Sequence, residues 1–469
     1  MQYVSTRGQA PKLGFRDTAL AGLARDGGLY VPQSWPKLDG ATIEGFAGAP
    51  YADVAKAVLW PFVEGEIERA PFETMVEEAY ATFGHPAVVP LVQSDANTFL
   101  LELFHGPTLA FKDVAMQLLA RIMDHILEER GARVTVVGAT SGDTGGAAIE
   151  AFRGRDTSDI FILLPHGRVS DVQRLQMTGP QDANVHALCI EGDFDDCQAI
   201  VKGMFNHHAF RDRHALMGVN SINFARVMAQ IVYYFTAASA LGAPQRSVSF
   251  CVPTGNFGNI FAGWAAKRMG LPIDRLVVAT NENDILARTL ASGRYEREPL
   301  RKTTSPSMDI QVSSNFERLL FEACGRDAER VRGWMDRLAQ SGGFSVDDDV
   351  LGAIRAEFDA GAASEDEVRT TIATMHRDHG YTIDPHSAVG ATVAGRHVGE
   401  SPMIVHACAH PAKFPDAVET ATGMRPPLPA RAKDLMDRKE RFTVLPNDQG
   451  AVERHIAGLT RAQAGPAAA

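Results

Sequence analysis

The sequence predicts an α/β protein built on parallel sheets with helices on both faces. Two observations predict it. Short β-branched runs alternate with helical patterns from about residue 100 onward, and two of those runs end in small-residue loops. The segments 133–138 (RVTVVG), 159–164 (DIFILL), 185–190 (VHALCI), 247–252 (SVSFCV), 276–280 (LVVAT) and 403–406 (MIVH) read as buried strands. Between them Val114, Leu118, Ile122 and Ile126 recur at helical spacing, with Gly131 as the stop. Segments 221–241 and 262–269 also read as helices, and no fixed-period repeat is present.

Two regions depart from the alternation. Residues 1–88 carry a helix, a Gly-Gly turn and a Pro-flanked loop (DTALAGLARDGGLYVPQSWP) and are expected to form an N-terminal domain. Residues 89–424 then form the main body, with a small α/β subdomain at about 131–215. Within that body, residues from about 314 to 385 read as helices with no strand between them, an insertion on the sheet domain. Residues 425–469, rich in Pro and Ala, read as a C-terminal extension that frays at its end.

Composition narrows the function. The 469 residues are 45% hydrophobic and 22% charged, as in ordinary globular proteins, and carry a net charge of −11. That balance argues against a nucleic-acid or anionic-membrane partner but leaves room for a local basic pocket. The first residues lack an apolar signal-type region, and the uncharged stretch 227–245 is broken by Gln230, Tyr233, Tyr234, Thr236 and Ser239, so a core helix explains it. Five cysteines, Cys189, Cys197, Cys251, Cys324 and Cys408, contain no CxxC pair. Neither a disulfide framework nor a metal site is expected, and the expected location is a reducing cytoplasm.

Chemistry is concentrated in three strings. In FHGPTLAFKDVAMQ, Lys112 follows Leu109, Ala110 and Phe111. On these residues alone it is either a packed stem with its amine turned to water or a dry amine kept nucleophilic. The loops GATSGDTGG (138–146) and PTGNFGN (253–259) follow strands and lead into helices, where backbone N–H groups receive anions. Neither fits a dinucleotide or P-loop pattern. Two such loops with an apolar-flanked lysine point to a phosphate-bearing cofactor held opposite the amine. A further string, CAHPAKF (408–414), follows the last strand. Taken alone, Cys408 reads as a small buried hydrophobe and Lys413 as a surface residue.

FHGPTLAFKDVAMQ, SGDTGGAA, GNFGN and AHPAKF, in this order, resemble the threonine synthases of the fold-type-II pyridoxal-phosphate enzymes, in their longer fungal and enterobacterial-type branch. The segments GLARDGGLYVP, NSINFARV, SPSMDIQVSSNFERLLFE and DPHSAVG are similar to the same family, so the resemblance extends to about residue 420. It implies a tryptophan-synthase-β-like fold with two parallel or mixed sheets, and pyridoxal 5′-phosphate as cofactor.

It further implies that Lys112 carries the cofactor as a Schiff base and moves protons. By the same resemblance Gly255, Asn256, Phe257, Gly258 and Asn259 cradle its phosphate, Asp143 faces its phenolic oxygen, and Ser141, Gly142 and Thr144 serve the substrate. Arg226 and Lys413 are candidates for the leaving phosphate. Cys408 stands where many relatives place Thr as the donor to the pyridine nitrogen, and a thiol is a weaker donor of similar size. The implied reaction converts O-phospho-L-homoserine and water to L-threonine and phosphate in a monomer or homodimer. The alternatives are a related phospholyase releasing a 2-oxo acid and ammonia, or an inactive relative. A cofactor-free kinase lacks its motifs here.

Overall fold

The computed structural model describes residues 1–219 and 221–462. The fraying expected of the tail from 463 onward lies outside the described residues. Two larger sheets hold eleven strands. They are β1 (Leu91–Asp95), β2 (Thr98–Glu102), β3 (Val134–Ala139), β4 (Ser158–Pro165), β5 (Val185–Glu191) and β6 (Leu216–Gly218). The rest are β7 (Val248–Pro253), β8 (Ile273–Thr280), β9 (Phe358–Ala362), β10 (Met403–Ala407) and β11 (Thr443–Pro446). The helices that matter to the site are α1 (Lys112–Arg130), α2 (Asp143–Phe152), α3 (Asp171–Thr178), α4 (Phe224–Ala240), α5 (Gly258–Arg268) and α6 (Pro385–Ala394).

The chain divides into two compact units. The larger comprises Met1–Ala19, Leu23–Ala115 and Ser221–Pro427; the smaller comprises Leu20–Gly22 and, among the described residues, 116–219 and 428–462. Residues 1–88, expected as a unit of their own, cluster with the larger unit apart from Leu20–Gly22.

The larger unit holds a six-stranded sheet in the order β9-β8-β7-β10-β2-β1. All neighbours are parallel except the β1–β2 hairpin at one edge. The central strands are buried on both faces, which explains their continuous apolar sequences. Helix α6 lies on this sheet, with Ala388, Val389 and Val393 in the same core as Val277, Cys251 and Val405. Helix α4 is buried almost along its whole length, including Tyr233 and Tyr234.

The smaller unit holds a parallel five-stranded sheet, β11-β5-β4-β3-β6. Its outer strand β11 comes from the segment read as an extension, and Val452 and Ile456 of the following helix join the core of β4 and β5. Arg461 completes the attachment by pairing with buried Asp159 at 2.8 Å.

One reading is corrected. The segment 314–385 is not helical throughout, because Phe358–Ala362 forms the edge strand β9 on β8 and Gly343–Ser345 pairs with Arg294–Glu296. The string FDAGA lacks β-branched residues, so the strand is imposed by pairing with β8 rather than by propensity.

Candidate active site

In the larger unit the loop before α1 fixes Lys112. Leu109 adopts a left-handed backbone (φ +62°), unusual for a branched side chain, and the surroundings hold it there. The Phe111 N–H donates to Cys408 O at 2.8 Å and the His410 N–H to Leu109 O at 3.0 Å, so residues 109–111 are stitched to the segment that follows β10. Asp113, fully buried, turns back to accept from the Thr108 N–H (2.8 Å) and Oγ1 (2.7 Å). Gly106 is required beneath it, since a Cβ there would lie 2.3 Å from Asp113 Cβ.

Lys112 itself is 7% exposed. Its Nζ donates to Ser307 Oγ at 3.1 Å and stands 5.3 Å from the Phe111 ring centre. The amine is therefore kept within the protein, not turned to water. Lys413 is wholly buried too, and its Nζ donates to Thr108 O at 2.7 Å.

The glycine loop lies in the same unit. It leaves β7 at Pro253 and enters α5 through Phe257, which is left-handed at φ +63° and caps the helix with no side chain. The first-turn N–H groups of α5 thus lack intrahelical acceptors and carry the positive end of the helix dipole. Ser313 Oγ donates to Gly255 O at 2.6 Å and Asn315 Nδ2 to Asn256 O at 2.8 Å. A Cβ on Gly255 would approach Ser307 O to 3.0 Å, so the loop and the serine beside Lys112 pack directly. The Asn259 side chain faces away into α4, where its Oδ1 accepts from Tyr233 (2.6 Å) and Tyr234 (3.0 Å).

Arg226 occupies the first turn of α4, 4% exposed, and burial pushes its guanidinium down to about 10. It stays a cation at neutral pH. Cys408 follows β10; its N–H donates to Ser387 Oγ at 2.8 Å and its Sγ lies 3.7 Å from His406 O.

The remaining predicted residues belong to the smaller unit. Gly142 has φ +145°, and Thr140 Oγ1 accepts from the N–H groups of Gly142 and Gly145, each at 2.9 Å. Asp143 opens α2 and accepts from Gln173 Nε2 of α3 at 3.0 Å. Ser141 and Thr144 are partly exposed. Among the described residues no cluster of His, Cys, Asp and Glu suits a metal ion, and no helix is long and apolar enough to cross a membrane.

A dry lysine beside an uncapped, glycine-fronted helix start suits a cofactor that carries both a carbonyl and a phosphate. The comparisons with known proteins agree. Residues 84–348 match the family described as pyridoxal-phosphate dependent enzyme, residues 2–80 the threonine synthase N terminus, and residues 387–456 the threonine synthase C-terminal region. A threonine synthase of Pseudomonas aeruginosa is 53% identical over 459 residues, covering 97% of this chain and 98% of its own.

The chain belongs to the threonine synthase family.

Solved threonine synthases superpose on it throughout. The pyridoxal-phosphate-bound enzyme of Brucella melitensis is 64% identical, with a TM-score of 0.97 over 98% of this chain and 100% of its own. The yeast enzyme is 39% identical, with a TM-score of 0.92 over 97% and 98%. The fold is thus that of the fold-type-II pyridoxal-phosphate enzymes. Against this family background four residues stand out that no motif had singled out: Ser307, Asp384 and His386 in the larger unit and Gln173 in the smaller. The strings SPSMD and DPHS contain the first three, and Asp384 caps α6 with Pro385 at its first position. Their convergence on Lys112 was not readable.

Proposed function

We propose that this chain converts O-phospho-L-homoserine and water to L-threonine and phosphate, with pyridoxal 5′-phosphate held by Lys112 and the 255–259 loop. The observation that carries this reading is the Lys112 amine, buried and directed at Ser307 beside the glycine loop. When bound, the cofactor supplies an electron sink for deprotonation at the substrate's Cα and Cβ.

The chain's own residues do the rest. Lys112 Nζ takes and returns protons at Cα and Cβ. The N–H groups of Gly258 and Asn259 at the start of α5, with Gly255, Asn256 and Phe257 shaping the turn, take the cofactor's phosphate. The Cys408 thiol serves the pyridine nitrogen and Asp143 the phenolic oxygen. Ser141, Gly142 and Thr144 take the substrate's carboxylate. Arg226, cationic and buried, is the group we assign to the leaving phosphate. Lys413 has its amine on Thr108 O, and its role on this reading is to hold the Lys112 loop.

The enzyme acts on a small molecule in the cytoplasm as a monomer or homodimer, without nucleic acid or membrane, in keeping with its net charge of −11. The test is incubation of the cofactor-loaded protein with O-phosphohomoserine. Threonine with one equivalent of phosphate is expected. Accumulation of 2-oxobutyrate and ammonia instead would assign the chain to the phospholyases, and a Lys112→Ala variant that still turns over would remove Lys112 from the chemistry.

A further inference from the structure

Segment 303–315 does more than follow the family pattern. Asp309 gathers four donors: Thr303 N–H (3.0 Å), Thr303 Oγ1 (2.7 Å), Asn281 Nδ2 (2.8 Å) and Asn283 Nδ2 (3.0 Å). Asn281 and Asn283 are buried and Asp309 is half-buried, so four hydrogen bonds, two of them from buried amides, hold the carboxylate as a clamp. The clamp holds the short turn Pro306–Met308, on which Ser307 sits. From the other side the Ser307 N–H donates to His386 Nε2 at 3.2 Å, and His386 Nδ1 lies 2.9 Å from Asp384 Oδ1.

These contacts fix the imidazole. Nε2 accepts from an amide, so the ring proton is on Nδ1 and is donated to Asp384. The ring is 3% exposed and packs 4.7 Å from Phe414, and Asp384 is wholly buried. Asp384 also accepts from Ser387 Oγ, whose oxygen takes the Cys408 N–H, and from the Ala409 N–H at 3.3 Å. One buried carboxylate therefore orients both the turn that carries Ser307 and the main chain at Cys408.

We infer that Ser307 is the docking partner of the Lys112 amine whenever that amine is not condensed with the cofactor, and that Asp384 and His386 are positioning residues that hold Ser307 in place. The inference rests on the assignment of Lys112 as the cofactor lysine. A lysine of this kind is uncondensed twice, before it captures the cofactor and whenever the substrate's amine has displaced it. Four rotatable bonds would let it wander at both times. The Ser307 hydroxyl accepts an N–H from Lys112 at 3.1 Å, which holds Nζ beside the glycine loop. Because the serine's backbone is held by Asp309 and His386, the acceptor does not drift with it. A reacting atom displaced by about 1 Å can cost on the order of a hundredfold in rate.

The test follows cofactor capture by the apoprotein, using stopped-flow absorbance with pyridoxal phosphate as the probe. Docking and condensation with Lys112 are read separately from its concentration dependence. Ser307→Ala is expected to slow condensation about tenfold or more, with docking affinity little changed. Ser307→Thr, which keeps the hydroxyl, should recover most of the rate. His386→Phe keeps the packing on Phe414 but loses the acceptor, and should slow condensation as well. In the double variant the two effects should not add, since both act through one hydroxyl. Condensation by Ser307→Ala at the parent rate overturns the inference, as does a threonine variant as slow as the alanine one. Additive losses overturn the part assigned to His386. A parent protein that captures the cofactor yet makes no threonine removes the proposed reaction and leaves this inference standing.

Discussion

The Lys413 amine ends on the main-chain oxygen of Thr108 at 2.7 Å, four residues ahead of Lys112 in the chain. The same threonine gives its N–H and its hydroxyl to Asp113, one residue beyond Lys112. Lys413 and Asp113 therefore grip one residue from two sides, and the loop carrying Lys112 is fixed by a wholly buried cation. A hydrogen bond to a charged group contributes about 1.5–3 kcal/mol. Lys413→Met is expected to lower the urea midpoint by a corresponding amount and to weaken cofactor retention, with a smaller effect on the KM for O-phosphohomoserine. A variant of parental stability whose KM rises tenfold or more would place Lys413 on the substrate's phosphate instead.

Cys408 is expected to tolerate a hydroxyl in its place. Its backbone is already held by Ser387 Oγ at 2.8 Å and by the Phe111 N–H, so the position does not depend on the side chain. Thr is close in size to Cys and is a stronger donor. A neutral hydrogen bond contributes about 1 kcal/mol net, so Cys408→Thr should keep kcat/KM within about tenfold of the parent. Loss of the bound cofactor on this substitution, read from its absorbance, would show that the thiol is not at the pyridine nitrogen.

The parts of this molecule legible in its sequence share a physical reason. The six strands read from β-branched and apolar runs all exist, most within a residue or two at either end, because strands buried on both faces are rich in such residues. The other strands are short or lie at sheet edges, as LVQSD (β1), FDAGA (β9) and TVLP (β11) do, or stand at the very start of the alternation, as β2 does. Lys112 and the glycine loops could be picked out because an apolar flank and a glycine-rich strand end are visible in the sequence, while the flank alone left the lysine's setting open. Ser307 could not be, since its meaning comes from a partner 195 positions away. Asp384 caps α6, and only the fold shows that the imidazole of His386, in the first turn of that helix, reaches Ser307.

Gly142 is a position where a single methyl should be intolerable. Its φ of +145° is accessible to glycine and strained for other residues, and a Cβ would stand 2.4 Å from the Gln173 amide. Gln173 cannot yield without releasing Asp143. Gly342, at φ +79° with open space where a Cβ would go, provides the comparison. Gly342→Ala should cost on the order of 1 kcal/mol, the expense of the backbone alone. Gly142→Ala should cost on the order of 3 kcal/mol or displace the loop, with kcat/KM falling at least a hundredfold. Equal effects of the two substitutions on unfolding midpoint and turnover would show that Gln173 moves aside freely.

His406 sets part of the acid limit of this fold. It lies on the central strand β10, wholly buried among Tyr233, Tyr234 and Phe250, with ring centres 5.4, 5.0 and 5.8 Å away. Burial pushes its imidazole down to about 3, whereas in the unfolded chain it titrates near 6.5. Between these two values the unfolded chain holds a proton that the folded chain does not, so stability rises with pH across the window. The contribution is complete above pH 6.5 and drains away as pH falls, at about 1.4 kcal/mol per pH unit. His186 and His410, each pushed down to about 4 by burial, add to the same slope. Among the described residues neither nitrogen of His406 has a hydrogen-bond partner, so an aromatic hydrocarbon loses nothing polar there. His406→Phe should therefore leave the urea midpoint at pH 8 equal to the parent's or higher, and move the acid-unfolding midpoint to lower pH. Acid-unfolding curves that superimpose for parent and variant, followed by circular dichroism, would show that His406 is charged in the folded state or does not govern the transition.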